Sequence, residues 1–250
     1  MPENKNTQWF ESWFDSPYYP VLYKHRNHRE AELFIDNLIK YLHPADNSRF
    51  LDLACGSGRH ALYLNKKGYN VTGIDLSPEN IACASKLAAS SNENIEFCLK
   101  DMRKIVWEEQ FDYVVNLFTS FGYFENDKDD YATIDVVSKT LKPGGIFVLD
   151  FMNVQKVIAN LVAHEVKIID NIKFEISKKI ENHFIVKDIR FFDEGKMYHF
   201  QERVKALTLN DFENYFAASK LKIIDLRGNY KLDKFNEETS QRLIIIAQKG

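Results

Sequence analysis

Cysteine is nearly absent. Cys55, Cys83 and Cys98 are the only three in 250 residues, an odd number with no C-x-x-C pair. That excludes a disulfide framework and a zinc-finger type of metal site, and it suits small buried hydrophobes in a reducing compartment. Ten glycines and six prolines are too few for a low-complexity linker, and no internal repeat is visible. No apolar run approaches the roughly 18 residues needed to cross a bilayer. The opening stretch "MPENKNTQWFESWF" has no basic segment followed by an apolar one, so no secretory leader is expected and a cytoplasmic location is. A dominant charge is missing too. The 33 basic and 36 acidic side chains are well mixed and leave a net charge of −3, which argues against a dedicated polyanion binder.

What the chain does contain is a regular alternation. Strand patterns near residues 49–54, 70–75, 94–99, 111–116 and 144–151 are separated by helical ones at 59–67, 78–90 and 128–140. The strand cores "YNVTGID", "FDYVVNLF" and "GIFVLDF" are short, β-branched or aromatic, and continuous rather than alternating, as strands buried on both faces should be. Ser77 followed by Pro78 is an N-cap with proline at the first helical position. Such alternation predicts a parallel sheet with helices on both faces.

Residues 164–207 break the rhythm. Ile172, Phe174 and Ile176 alternate with Lys173, Glu175 and Ser177, a period of two. "DN" at 170–171, "EN" at 181–182 and a three-residue turn on "DEG" at 193–195 predict an antiparallel meander of three or four strands. Its basic and acidic residues nearly cancel, so it is no landing pad for a polyanion. A helix capped by Thr208 or Asn210 follows, then the strands "LKIIDL" and "QRLIIIAQK". The first forty residues hold the aromatic run "WFESWFDSPYYPVLYKHR" and an amphipathic helix with Ala31, Phe34, Ile35, Leu38 and Leu42 on one face.

The chemistry is suggested by "FLDLACGSGRHALYL" at residues 50–64. A short strand ends in Gly56 and Gly58, and a helix opens behind them. This places backbone N–H groups near a ligand, with glycine supplying the turn. "GSGRHA" matches the dinucleotide pattern G-x-G-x-x-G/A, and Asp75 ends the next strand about twenty residues on. Alone that pattern is weak.

Five segments together, "LDLACGSGRH", "VTGIDLS", "LKDMRKI", "FDYVVNLFTSFGYF" and "LKPGGIFVLDF", occur in the order and spacing in which the sequence resembles the class I S-adenosylmethionine-dependent methyltransferases. The resemblance covers residues 49–152, and the β insertion and aromatic N-terminus look like the small-molecule variant of that family. It implies a doubly wound, Rossmann-like, seven-stranded and mostly parallel sheet, with an antiparallel β insertion and N-terminal helices. It also implies an N-terminal lid over residues 1–48, a cofactor-binding core over 49–163 and 208–250, and an insertion over 164–207 that covers the active site.

The same resemblance implies roles. The backbone from Ala54 to Gly58 wraps the methionine end of S-adenosylmethionine, while Asp52 holds this loop and reaches the cofactor's ammonium through water. Asp75 accepts hydrogen bonds from both ribose hydroxyls, a task suited to a carboxylate. Leu76 lines the adenine, Asp101 takes its amino group, Met102 packs on its face, and Leu117 covers the region near the sulfonium. The segment "SPYYPVLYKHR" folds over the cofactor as a lid, with Tyr23 and Arg26 near the methionine carboxylate.

No catalytic base stands out. Phe118, Phe121, Tyr123 and Phe124 are read as walls of an apolar pocket, partners for a cationic amine, or core aromatics. The catalytic candidates are Tyr23, His199 and Arg203 on the last insertion strand, and Tyr230 in the loop before the final strand. His25 and His28 read as solvated. No metal is expected. The expected partner is a small molecule, with no membrane, nucleic acid disfavoured, and a monomer or homodimer. Alternatives are a tRNA- or protein-directed methyltransferase, an NAD-dependent oxidoreductase, and a catalytically idle binding module.

Overall fold

The computed structural model describes residues 9–24 and 28–250. The chain begins with three helices, α1 (Trp9–Phe14), α2 (Tyr18–Leu22) and α3 (His28–Leu42). Next come β1 (Arg49–Leu53), α4 (Arg59–Lys66), β2 (Asn70–Asp75), α5 (Pro78–Ser90) and β3 (Glu96–Leu99). A 3-10 turn, Met102–Lys104, precedes β4 (Phe111–Asn116), α6 (Asp127–Thr140), β5 (Leu141–Met152) and α7 (Val154–Ala159). The inserted strands are β6 (His164–Ile169), β7 (Ile172–Glu181), β8 (Phe184–Asp193) and β9 (Lys196–Lys205). The chain closes with α8 (Leu209–Ala217), β10 (Leu221–Arg227) and β11 (Arg242–Lys249).

Seven strands form one sheet in the order β10-β11-β5-β4-β1-β2-β3. The first five in sequence pair in parallel, while β11 runs antiparallel to both β5 and β10. This is the doubly wound architecture expected from the sequence. One face packs on Ile134 and Val137 of α6 and Phe212 and Phe216 of α8. The other packs on Phe34, Ile35 and Leu38 of α3 and Ala61 and Leu64 of α4. Two layers of helices explain the continuous apolar strands: Leu243, Ile244, Ile245, Ile246 and Ala247 of β11 are all buried.

The local signals act as anticipated at the caps. Ser77 Oγ accepts the Asn80 N–H at 3.0 Å. Thr208, rather than Asn210, caps α8 in a reciprocal box with Asp211. At β5 the structure differs from the expected strand over 144–151. Pairing begins at Leu141, skips through a bulge, and resumes with Tyr113 opposite Ile146. The Pro-Gly-Gly stretch is thus an irregularity inside the strand, with Gly144 at φ +76°.

The insertion is a four-stranded meander, β6-β7-β8-β9. Its three turns are two-residue turns with both residues at positive φ: Asp170-Asn171, Asn182-His183 and Glu194-Gly195. The second lies one residue beyond "EN", and the third has two residues instead of three. The pairings Glu181 with Phe184 and Asp193 with Lys196 close each hairpin and leave room for only two loop residues. One sheet face carries Phe174, Ile176, Ile189, Phe191, Tyr198 and Phe200, packed against Trp13, Tyr18 and Leu22 from α1 and α2. The far end of β9 is pinned to α6, where the buried Lys205 ammonium meets Asp127 and Asp130, each at 2.6 Å.

Candidate active site

The strand order reverses between β1 and β4, and in open α/β sheets ligands bind at the carboxyl ends of strands at such a point. A cavity of about 770 Å³ opens there, within the roughly 300–1,000 Å³ typical of small-molecule sites. Its floor is the loop after β1. Ala54 and Gly56 both take left-handed conformations, at φ +60° and +56°. No atom lies within 4 Å of where a Gly56 Cβ would stand, so the backbone there is bare toward the cavity. The Gly56 N–H donates to Asp75 Oδ2 at 2.8 Å, which joins the ends of β1 and β2.

Gly58 is a glycine for another reason. It sits at φ +80° at the start of α4, and a Cβ would come within 2.8 Å of the Phe97 ring. Its small size lets α4 pack on β3, and Gly58 is not among the cavity-lining residues.

Asp75 lies at the tip of β2 with its carboxylate held by N–H groups. Oδ1 accepts from the Ser77 amide at 2.9 Å, and the Asn80 side chain approaches at 3.4 Å. Burial pushes the Asp75 carboxyl up, and the Ser77, Gly56 and Asn80 hydrogen bonds moderate the rise. Leu76 beside it remains partly exposed and lines the cavity. Asp101 caps the 3-10 turn and is gripped by Arg103, whose Nη2 lies 2.6 Å from Oδ2. Burial alone would raise the Asp101 carboxyl, but the Arg103 hydrogen bonds and charge hold it below its ordinary value. Met102 and Leu117 complete the wall.

Asp52 is buried beneath the floor and does not line the cavity. Burial, with Asp75 nearby, pushes its carboxyl up to about 7. Its Oδ2, and Oδ1 of the equally buried Asn116 at the end of β4, have no hydrogen-bond partner among the described residues. Asn116 meanwhile donates to the Leu53 carbonyl at 2.8 Å, tying β4 to β1 at the reversal point.

Of the four aromatics after β4, Phe118, Tyr123 and Phe124 line the cavity. Phe121 is instead a core residue, fully buried against Phe212 and Tyr215. The roof comes from α1, α2 and their junction: Phe10, Phe14, Asp15, Tyr19 and Tyr23 all face the cavity. Asp15 accepts a hydrogen bond from Ser77 Oγ, which ties the roof to the start of α5.

The catalytic candidates fall in different places. Tyr23 lines the cavity, and its hydroxyl donates to Glu202 Oε1 of β9 at 2.6 Å. His199 and Arg203 do not line it. They project from the insertion face opposite the one that packs on α1 and α2, where His199 meets Asp188 at 2.9 Å and Arg203 meets Glu125 at 3.3 Å. The even-numbered residues of β9 face the N-terminal helices, because Tyr198 and Phe200 are the large apolar ones. Tyr230 is turned inward below the cavity, stacked on Phe34 and hydrogen-bonded to Asp150 at 3.1 Å. Arg26, with His25, lies outside the described residues, as does the side chain of His28. The insertion that was expected to cover the site contributes no lining residue and stands behind α1 and α2.

Sequence reasoning missed Asp15, Arg59, His60 and Lys100, which also line the cavity. Arg59 and His60 sit inside the quoted glycine motif, so their position was a usable signal. Asp15 had none, since its site is made by the docking of a distant helix. Burial and the neighbouring Arg59 push the His60 imidazole down to about 3, so it stays neutral.

These features fit S-adenosylmethionine. The bare Gly56 backbone admits a close ligand, the Asp75 and Asp101 carboxylates sit at successive strand tips, and two buried acceptors under the floor lack donors among the described residues. Among the described residues, no cluster of three His, Cys, Asp or Glu could hold a metal, and no helix is long and apolar enough to cross a membrane.

Comparison with known proteins agrees. Residues 50–145 match the model of a methyltransferase domain. The chain is 42% identical to a putative methyltransferase, YqeM, of Bacillus subtilis over 106 residues, an alignment spanning 42% of either chain. It is 23% identical to a putative methyltransferase of Geobacillus over 96% of this chain and 98% of the other. A dTDP-3-amino-3,4,6-trideoxy-alpha-D-glucopyranose N,N-dimethyltransferase of Streptomyces venezuelae is 26% identical over 72% of this chain and 78% of its own. Among solved structures, an S-adenosylmethionine-dependent methyltransferase of Clostridium acetobutylicum superposes with a TM-score of 0.80 at 21% identity, covering 93% of this chain and 96% of that one. An amino pentose methyltransferase of Micromonospora echinaspora with S-adenosylmethionine bound gives 0.70 at 19% identity, over 94% and 98%. Residues 50–145 thus carry the match to a methyltransferase domain, and the fold of the whole chain is that of the S-adenosylmethionine-dependent methyltransferases it is similar to.

Proposed function

We propose that this methyltransferase acts on a small molecule, at a nitrogen or oxygen nucleophile. The observation that carries the reading is the roof. Phe10, Phe14, Tyr19 and Tyr23 line the same cavity as the Gly56 loop and are backed by the insertion, so the cavity is shaped for a compact acceptor. The mixed charges of the chain give RNA little to hold. The amino-sugar N,N-dimethyltransferase similar by sequence and the amino pentose methyltransferase similar in structure point the same way.

Bound in the cavity, S-adenosylmethionine supplies an electrophilic methyl group on a sulfonium. The bare Gly56 backbone admits the cofactor's close approach, Asp75 holds its ribose hydroxyls, and Asp101 with Met102 holds its base. Leu117, Phe118 and Tyr123 exclude water from the reacting end and orient the acceptor, which is where most of the rate gain in such a displacement arises. Aromatic faces also suit a cationic or amino-bearing acceptor. A neutral amine needs no base to attack, which agrees with a cavity whose only histidine among the described residues, His60, has a pKa near 3.

The test is a transfer assay with S-adenosylmethionine against two panels, one of amino sugars, their nucleotide conjugates and simple amines, the other of tRNA and protein. Release of S-adenosylhomocysteine with a one-methyl mass gain on a small acceptor is the expected result. Transfer to RNA or protein alone would overturn the reading.

A further inference from the structure

Behind the cavity wall lies a cluster that none of the roles above uses. Asp150, fully buried near the end of β5, holds three partners with one carboxylate. Oδ1 accepts from Arg242 Nε of β11 at 2.7 Å. Oδ2 accepts from the Phe118 N–H at 2.8 Å and the Tyr230 hydroxyl at 3.1 Å. Arg242 reaches on, its Nη2 donating to Thr119 Oγ1 at 2.8 Å. Thr119 is held twice more, because its N–H donates to the Asp150 carbonyl at 2.9 Å and its own carbonyl accepts from the Tyr123 hydroxyl.

The segment held this way is strained. Phe118 and Thr119 are consecutive non-glycine residues at φ +69° and +60°, a region that aromatic and β-branched side chains avoid. Strain of this kind persists only where the surroundings over-determine it, and it gathers at functional sites. Phe118 lines the cavity, whereas Thr119, Asp150, Tyr230 and Arg242 do not. A buried ion pair is a poor source of stability compared with apolar packing, so a gain in conformational definition is the better account of this one.

We propose that the Asp150–Arg242 pair, completed by Thr119 and Tyr230, is a positioning device that holds Phe118 as a preformed wall of the cofactor cavity. Cofactor and acceptor then bind without having to order that wall, a saving that appears as affinity. Tyr230, read from the sequence as a catalytic candidate at the rim, acts through Phe118 in this account.

The experiment is calorimetric titration of S-adenosylhomocysteine into the wild type, Thr119→Val, Thr119→Ser and Tyr230→Phe, with thermal melting and amide hydrogen exchange in parallel. Removing Arg242 is avoided because it would strand the buried Asp150 charge and unfold the protein for an unrelated reason. Thr119→Val keeps the shape and removes the Oγ1 acceptor. It is expected to weaken binding about tenfold, as loss of a hydrogen bond to a charged group should, and to speed exchange at the Phe118 amide. Thr119→Ser, which keeps the oxygen, is expected to bind like the wild type, and Tyr230→Phe to fall between. Unchanged affinity in Thr119→Val, equal loss in the Ser and Val variants, or a loss with Phe118 exchange unaltered would overturn the proposal. No heat with the wild type would overturn the cofactor site itself, and the positioning role with it.

Discussion

The two sheets of this protein are stabilised in different ways. The central sheet is covered by helices on both faces, so Phe147, Val148 and Leu149 of β5 are all fully buried although they point alternately to opposite sides. The inserted sheet is covered along one face, and on the other only at the end near α6, where Phe184 and Val186 are buried. Phe174 and Ile176 are buried on the first face, while Ile168, Phe192 and Met197 on the second are 74%, 61% and 70% exposed. Its partner is a pair of short helices some 160 residues earlier in the chain, and the seam carries polar keys as well as apolar ones. Glu202 accepts the Trp13 indole N–H at 2.7 Å and the Tyr23 hydroxyl at 2.6 Å. The inserted sheet and the cavity roof share an apolar cluster of their own, apart from the two that hold the central sheet, and join the latter through Ile185 and Lys205.

The sharpest way to break that contrast is Trp13→Ala. Trp13 is fully buried and its ring packs 4.6 Å from Phe200. Its loss should cost about 3–5 kcal/mol at the seam, as for other large core truncations. Hydrogen exchange should rise across β7–β9 and stay low in β5 and β11. Equal loosening of both sheets would mean that they form one cooperative unit.

Asp75→Ala probes the rigid side. It should weaken S-adenosylhomocysteine binding by about 2–4 kcal/mol, since two hydroxyls would lose a charged acceptor in a desolvated site. Calorimetry reads the affinity, and the melting temperature should fall as well, because the Gly56 and Ser77 amides lose their shared acceptor. A drop in melting temperature with unchanged affinity would instead make Asp75 a cap for α5.

A third test uses pH within the central sheet. The folded-state pKa of Asp52 is raised from 3.8 to about 7, so between those values the folded state keeps a proton that the unfolded state releases. Stability therefore falls as pH rises through that window. Asp52→Asn removes the slope and should gain about 4 kcal/mol at pH 8 relative to pH 4. Denaturant titrations of both proteins at the two pH values check it. His60 has the opposite sign, with its pKa lowered from 6.5 to about 3, so its contribution is lost as pH falls through 6.5. It cancels in the comparison of variant with wild type.

The smallest effect is expected on the outer face of the insertion. Phe192→Lys should change stability by no more than about 0.5 kcal/mol, the usual range for an exposed site. A large fall in melting temperature would show that this face is covered in solution.

The legible part of the molecule is the part governed by near neighbours. Parallel strands were visible as apolar runs, α5 by Ser77 and Pro78, and the cavity floor by glycines between strand and helix. The first hairpin turn, Asp170-Asn171, was read in register, but the second and third were missed by a residue, because closure is set by cross-strand pairing rather than by the turn sequence. His199 and Arg203 were grouped correctly on one face of β9, but period-two alternation does not say which face meets a partner. Gly58 was read as ligand-facing, whereas the Phe97 ring explains it. Asp15 left no trace at all.

The sequence alone therefore determined the class of fold, the glycine-turn floor and the carboxylates at the strand tips, because strand alternation, capping and turn chemistry act over a few residues. Only the tertiary structure decided which face of the insertion packs inward, that α1 and α2 rather than the insertion make the roof, and that Asp150, Arg242 and Tyr230 converge behind Phe118. Those outcomes depend on contacts between segments about 30 to 190 residues apart, and no local pattern records which of several apolar or charged surfaces will meet.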